Sequence, residues 1–388
     1  MAAQFARRTI VRAGFGGTCV AVALALAPTA AAQSTRSGSA ETHHAAPMAV
    51  ARWHIVKTIK KATLQLWDVV AVKGGRAWVS GGLGYPNTVP LLLHRVGTKW
   101  ITVLRPGMPS SFILATSLSA TSDTNVWTQI ANSDAVDHWN GSAWTRFHFG
   151  GVDTARTSNV VAVGMHDAWV FTHNFNTSTE TSEFFDGSAF NDASFPAFIG
   201  GVGAINQVSA SSPSNVWGLA NEPVTQKWEA VHYNGKTWAV VPIPSKVLGP
   251  TGGPAEILAE SAKNVWATVY SQNGLAGPMK LLHWNGTAWH RAGGRRPAGD
   301  LTGPIAPDGH GGLWLLAGRP KKTFPFFSSF FVHYGGGVWK AYPVPTSPAG
   351  AVSITAIALI PGTRSLWGAG SIIGKSGYKG GVILKFGL

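Results

Sequence analysis

Residues 212–238 read SPSNVWGLANEPVTQKWEAVHYNGKTW, and two phrases in this stretch return along the chain. The first, SPSNVW ending at Trp217, is matched by SDTNVW ending at Trp127 and SAKNVW ending at Trp266. The second, HYNGKTW ending at Trp238, is matched by HWNGSAW ending at Trp144 and HWNGTAW ending at Trp289. Looser copies are HRVGTKW ending at Trp100 and HYGGGVW ending at Trp339, while FFDGSAF puts Phe190 where the others have Trp. Most copies carry Asn-Gly, Asp-Gly or Gly-Gly at one fixed point. These pairs accept positive φ at low cost, so the phrase reads as a tight β-hairpin.

Working outward, a Trp recurs at Trp78, Trp127, Trp169, Trp217, Trp266, Trp314 and Trp367, at intervals of 42 to 53 residues. The fourth unit parses into strands at 204–209, 215–219, 227–233 and 237–242, with Ser212-Pro213-Ser214 as the first turn. Four short antiparallel strands per period of this length mark a β-propeller blade. Seven periods predict an all-β, seven-bladed β-propeller over residues 51–388. The last unit stops before its closing Trp. Residues 52–56, RWHIV, supply the missing strand, because Trp53 precedes Trp100 by 47 residues, one period. Residues 52–56 are therefore expected to pair with 382–386 and complete the last blade, which removes an exposed sheet edge.

The composition agrees. The 388 residues include 47 Gly and 23 Pro, with 45% hydrophobic and only 12% charged residues. That favours many short strands and turns over surface helices and argues against disorder. The paired phrases resemble secreted bacterial propeller-repeat proteins, loosely similar to kelch and galactose-oxidase-type propellers. The resemblance implies fold and export and carries no catalytic residue across. It departs from kelch repeats, which need a regular Gly-Gly pair, and from WD40 repeats, since no blade ends in Trp-Asp.

Residues 1–32 read as a signal peptide: Arg7, Arg8 and Arg12 form a basic head, 20–27 an apolar run, and Ala30-Ala31-Ala32 a cleavage pattern. The adjacent arginines also resemble a twin-arginine signal. Residues 33–50 read as a flexible lead-in, and no later run is long enough to span a bilayer. The expectation is a secreted monomer without a transmembrane segment. Cys19, the only cysteine, lies in the signal. A mature chain has no disulfide, cysteine nucleophile or cysteine-ligated metal, and no cofactor or metal is expected.

The repeated Trp residues are read as filling the space between blades. His94, His138, His232, His283 and His333 stand in five different blades, too far apart for one metal site. Each ring is expected to satisfy a backbone group within its blade, and Asn125, Asn215 and Asn264 to cap turns. Function is expected where the repeats disagree, above all in the sixth unit. Arg319, Lys321, Lys322, Phe324, Phe326 and Phe327 are the candidate ligand-binding residues there. Other long variable loops are 81–90, 174–180 and 271–278.

Charge is unevenly spread. After the signal, 28 Lys and Arg stand against 17 Asp and Glu, a net of +11. Residues 309–388 hold eight bases and no acid, and 51–105 hold nine bases against Asp68. Residues 121–200 hold nine acids against Arg146 and Arg156. In a closed ring the sixth, seventh and first units form one basic arc, suited to anionic polymers such as teichoic acids, acidic glycans or nucleic acid; the expected partner is an anionic glycan, a cell-wall polymer or a protein. Nothing points to a specific nucleic acid. No phosphate loop, G-x-S-x-G or H-E-x-x-H occurs. The expectation is a non-enzymatic binding module. The alternative is a secreted propeller hydrolase or lyase acting on a polysaccharide or small natural product, with an acid/base pair drawn from Asp134, Asp137, Glu180, Glu183 and Asp186. Three or more ionisable groups converging at the channel mouth would favour it.

Overall fold

A computed structural model describes residues 51–387 except 85–88, 104–114, 131–132, 150–154, 175, 178, 194, 196–204, 222–227, 250, 272–278 and 325–326. The expected signal and lead-in, 1–50, lie outside the described residues. The chain forms seven four-stranded antiparallel sheets, each built from consecutive strands except the last. Within a blade the first strand is innermost, and it packs beside the first strands of both neighbouring blades. Ala351–Leu359, first strand of blade 7, returns to Gln65–Ala71, first strand of blade 1, so the ring closes. No helix among the described residues is long and apolar enough to cross a membrane.

The N-terminal strand closes the last blade as expected, over a longer pairing of 52–59 with 381–387. Arg52–Ile59 pairs with Gly377–Gly387, with Trp53 opposite Phe386 and Ile55 opposite Leu384. A bulge between Ile55 and Lys57 then shifts the register, so Val382 meets Thr58. In blade 4 the strands are Ile205–Ser212, Asn215–Asn221, Trp228–Tyr233 and Trp238–Val241. The hairpin turns work as their sequence suggests. Asn234 Oδ1 accepts from the amides of Lys236 and Thr237, and Gly235 sits at φ 90°. A side chain there would be strained and would run into Ser214.

The core is divided among the seven seams between blades, and each seam holds one Trp of the repeat: Trp78, Trp127, Trp169, Trp217, Trp266, Trp314 or Trp367. Each is buried, at 0–6% exposure. In most seams this Trp meets the closing aromatic of the next blade edge to face. Trp169 and Trp238 are 5.7 Å apart at 83°, and Trp367 and Trp100 5.5 Å at 85°. Trp314 meets Trp53 in the same way, 5.8 Å at 87°, so the N-terminal strand supplies blade 7 with the aromatic that every other blade takes from its own hairpin. Such edge contacts add to the large area each ring buries.

Candidate functional site

The repeat histidines form a different network from the one expected. His138, His232 and His283 do not bond backbone. Each Nε2 lies 2.7–3.0 Å from the Oδ1 of Asn125, Asn215 or Asn264, which only accepts, so Nε2 donates. Asn125 and Asn215 accept from the adjacent Trp indole as well. Their amide groups donate back across the turn to Thr121 and Ser211, so these Asn residues tie the turn as expected and also join Trp to His. His94 uses Asp123 of the next blade and His333 uses Asp308. The imidazoles lie on the indoles at 4.0–5.0 Å. Burial holds His138 down at about 4 and also lowers His232 and His283, so these rings are neutral wedges.

Two blades break the pairing. Opposite Trp169 stands Phe184, and opposite Trp367 stands Lys385. Beside each of these two positions a cleft opens between neighbouring blades. The cleft between blades 3 and 4 is about 660 Å³ and includes Trp169, Phe184, Asn191, Asp192, Tyr233 and Trp238. The cleft between blades 7 and 1 is about 600 Å³ and includes the equivalent Trp367, Lys385, His54, Arg95 and Trp100, together with Lys57 and Lys99. None of its lining residues is acidic.

Local pairing builds this cationic cleft. His54 and Val56 alternate along the N-terminal strand with Trp53 and Ile55, which face the opposite seam. Arg95 and Trp100 are direct partners across the hairpin that ends blade 1. Arg95 Nη1 donates to the Gly75 carbonyl at 2.8 Å, and its guanidinium lies 4.9 Å from the Trp367 ring centre. Lys385 Nζ lies 5.8 Å from the same ring. In the other cleft the first hairpin of the next blade is used differently: Trp169 donates its indole N–H to the Pro213 carbonyl at 3.0 Å. Lys57 and Lys99 are exposed at the rim. The arrangement supplies indole edges, one guanidinium held by a carbonyl and three ammonium groups, with no carboxylate among the lining residues to repel an anion.

The sixth-unit candidates are distributed differently. Arg319 is exposed, donates Nε to the Ala298 carbonyl at 2.7 Å and lies over Phe330 at 5.0 Å. Lys321 and Lys322 are exposed and Phe324 is half-buried. Phe326 and the side chain of Phe327 lie outside the described residues. Phe330 and Phe331 are core residues, and Phe331 stacks on Trp53 at 3.9 Å. The 81–90, 174–180 and 271–278 loops lie partly or largely outside the described residues.

The suggested acid/base candidates have structural partners. Asp137 pairs with Arg146 at 2.8 Å, Asp134 with His148 at 3.2 Å, and Glu180 with His173 at 3.2 Å. Asp186 accepts from the amides of Ser188 and Ala189. Burial raises Glu183, with Asp192 nearby adding to the effect. A pair that sequence reasoning missed sits on the inner strands. Burial pushes Asp68 up to about 7, and burial together with Asp68 pushes Glu256 up to about 7. Blades 1 and 5 are not neighbours, so this coupling acts across the channel. Asp68 accepts from the amides of Val69 and Leu118, both at 2.7 Å. Among the described residues no three His, Cys, Asp or Glu side chains converge on a metal-sized site.

No protein-family model and no curated protein matches the sequence. Solved propeller structures do match in fold. YCF48 bound to D1 peptide superposes with a TM-score of 0.54 at 14% identity, over 85% of this chain and 94% of its own. The Cps50 (Swd1) propeller domain of Myceliophteria thermophila gives 0.54 at 10%, over 84% and 98%. A Mycobacterium tuberculosis puromycin-hydrolyzing peptidase gives 0.54 at 11%, over 81% of this chain and 50% of its own. At these identities the likeness is one of fold.

Proposed function

We propose that this chain is a secreted, non-enzymatic binding module that holds an anionic glycan or cell-wall polymer in the cleft between blades 7 and 1. The carrying observation is that cleft: Lys57, Arg95, Lys99, Lys385 and His54 around Trp100 and Trp367, with no acid. Trp faces and edges give contact area, while the cations give attraction and orientation. Arg319, Lys321 and Lys322 add to the positive charge of the same arc on blade 6. The reading of residues 1–32 as a signal supports export, and a structural neighbour, YCF48, solved bound to a peptide, supports ligand binding on such a scaffold. The test is a glycan and cell-wall polymer array probed with the purified protein at low and high salt. Anionic ligands should dominate and weaken clearly as salt rises past physiological strength. Selective capture of neutral ligands, indifferent to salt, overturns the reading.

A second reading, a hydrolase or lyase, draws on Asp68 and Glu256. Carboxyls raised toward 7 suit acid/base work. Turnover of an array-identified ligand that Glu256→Gln abolishes would establish it in place of the first.

A further inference from the structure

We propose that the cleft between blades 3 and 4 is a second, chemically separate site, which takes a neutral oligosaccharide. It goes beyond the anion-binding reading and does not depend on it. The cleft, about 660 Å³, lies within the usual range of small-molecule sites. Its lining carries one acid, Asp192, and one base, Lys236, so it has no net charge to favour an ion. Asp192 stands directly opposite Glu183, which disfavours an anion further. Lys236, on the blade 4 side, opposes a cation in the same way.

The aromatic rings of the cleft play two parts. Trp169 and Trp238 are buried, at 1% and 8% exposure, and meet edge to face, so they belong to the seam. Phe184 and Tyr233 are half-buried and are the rings a ligand can reach. They come from opposite sides, Phe184 from the third strand of blade 3 and Tyr233 from the third strand of blade 4. Their ring centres lie 5.1 Å and 4.7 Å from that of Trp169. In blades 2, 4 and 5 the position of Phe184 holds a histidine tied to an Asn side chain. Phe184 has no ring nitrogen to tie.

Polar groups stand beside these rings. Asn191 pairs directly with Phe184 across the outer hairpin of blade 3. Its Nδ2 donates to Asp186 Oδ2 at 3.1 Å, which orients the amide and leaves Oδ1 as an acceptor. Among the described residues the Tyr233 hydroxyl has no hydrogen-bond partner. Ser214 and Thr237 add hydroxyls from blade 4. A pyranose matches this mixture, with a C–H face to lie against an aromatic ring and an edge of hydroxyls that donate and accept. A purely apolar ligand would strip water from the amide and hydroxyls and give nothing back.

The test is titration calorimetry of the whole protein with chitotriose, cellotriose and maltotriose. The glucosamine trimer, a heparin disaccharide and the peptide Ala-Tyr-Ala are the competing ligands. At least one neutral trisaccharide should bind, more weakly than an anionic polymer at low salt. Its affinity should change less than about 2-fold between low and physiological salt. Tyr233→Phe and Asn191→Ala, each checked for an unchanged Tm, should weaken it about 3- to 10-fold. Lys57→Glu with Lys99→Glu should leave it unchanged. If none of the three trisaccharides binds, the inference is overturned, whatever the anion array shows. Loss of trisaccharide binding in the Lys57 and Lys99 variant, or its displacement by the heparin disaccharide, places the sugar in the other cleft and also overturns it. Tighter binding of the glucosamine trimer than of chitotriose overturns the neutral class. Ala-Tyr-Ala bound in place of every trisaccharide overturns the sugar assignment. Trisaccharide binding without any anion binding overturns the proposed function alone.

Discussion

The clefts between blades 3 and 4 and between blades 7 and 1 are built on the same backbone positions but differ in chemistry. Each is bounded by a buried repeat Trp that lacks its stacked histidine, and each is closed by the hairpin Trp of the next blade. Phe184, Asn191 and Tyr233 in the first become Lys385, His54 and Arg95 in the second. These three replacements, with Asp192 present only in the first cleft and Lys57 and Lys99 only in the second, distinguish an aromatic, amide-lined groove from an acid-free cationic one. The clefts also differ in how they are held. Blade 3 is one continuous segment, whereas blade 7 is joined from both ends of the described chain. Backbone repetition therefore sets where a cleft forms, and a few side chains set what it attracts.

The largest effect should come from breaking the joined blade. Deleting residues 51–57 removes a paired strand, one wall of the cationic cleft and Trp53 from the neighbouring seam. The ring should lose cooperative unfolding in a urea titration. The milder Trp53→Ala should lower unfolding stability by about 3–5 kcal/mol, since that ring is 5% exposed and stacks on Phe331. A loss below about 1 kcal/mol would mean that the joint is not a core contact. Next comes charge. Lys57→Glu with Lys99→Glu should weaken an anionic ligand about 10- to 100-fold at low salt, whereas Lys236→Glu in the other cleft should change it little. Equal effects from both would erase the chemical distinction between the clefts.

A smaller effect should follow from restoring the repeat. Ser365→Asn with Lys385→His rebuilds the Trp–His–Asn arrangement on Trp367, because Ser365 stands two residues before that Trp as Asn215 stands before Trp217. The variant should gain about 0.5–1.5 kcal/mol of stability in urea unfolding and bind the anion roughly 3- to 10-fold more weakly at low salt. Undiminished binding would remove Lys385 from the site. The smallest effect concerns the channel. Glu256 is raised to about 7 in the fold against an ordinary value near 4.5. The folded state therefore holds a proton the unfolded chain has released, and this contribution fades as pH climbs through about 7. The lowered His138, His232 and His283 act in the opposite sense below pH 7, so the measure is a difference: the Tm of the wild type relative to Glu256→Gln should fall by roughly 2–5 °C between pH 5 and 8. An unchanged difference would place the proton elsewhere.

Trp spacing made the fold legible because each seam needs one large ring at one strand position. The N-terminal closure was legible for the same reason: the last unit lacked a closing aromatic and Trp53 stood one period before Trp100. The site was less legible. Variable loops drew attention, yet the cleft arises from strand positions. Its signal was present in the sequence as the break in Trp–His pairing, at Phe184 in FFDGSAF and at Lys385 in ILKFG. Phe330 and Phe331 show why an aromatic loop misleads. Both faces of a blade are buried, so neighbouring residues pointing opposite ways enter two different seams. The histidine partners were missed because an Asn two residues before the Trp comes to lie beside the imidazole only once the strands pair. The raised pKa values of Asp68 and Glu256 were invisible in sequence, since the burial that causes them depends on closing the ring.

The most direct test of the central claim is hydrogen exchange, read by mass spectrometry, with and without a long heparin chain at low salt. The account predicts added protection in 54–57 and 95–101, the two walls of the cationic cleft, and none in 191–193 and 233–238. Protection confined to the cleft between blades 3 and 4, or bound heparin that leaves 54–57 and 95–101 exchanging as in the free protein, would contradict it.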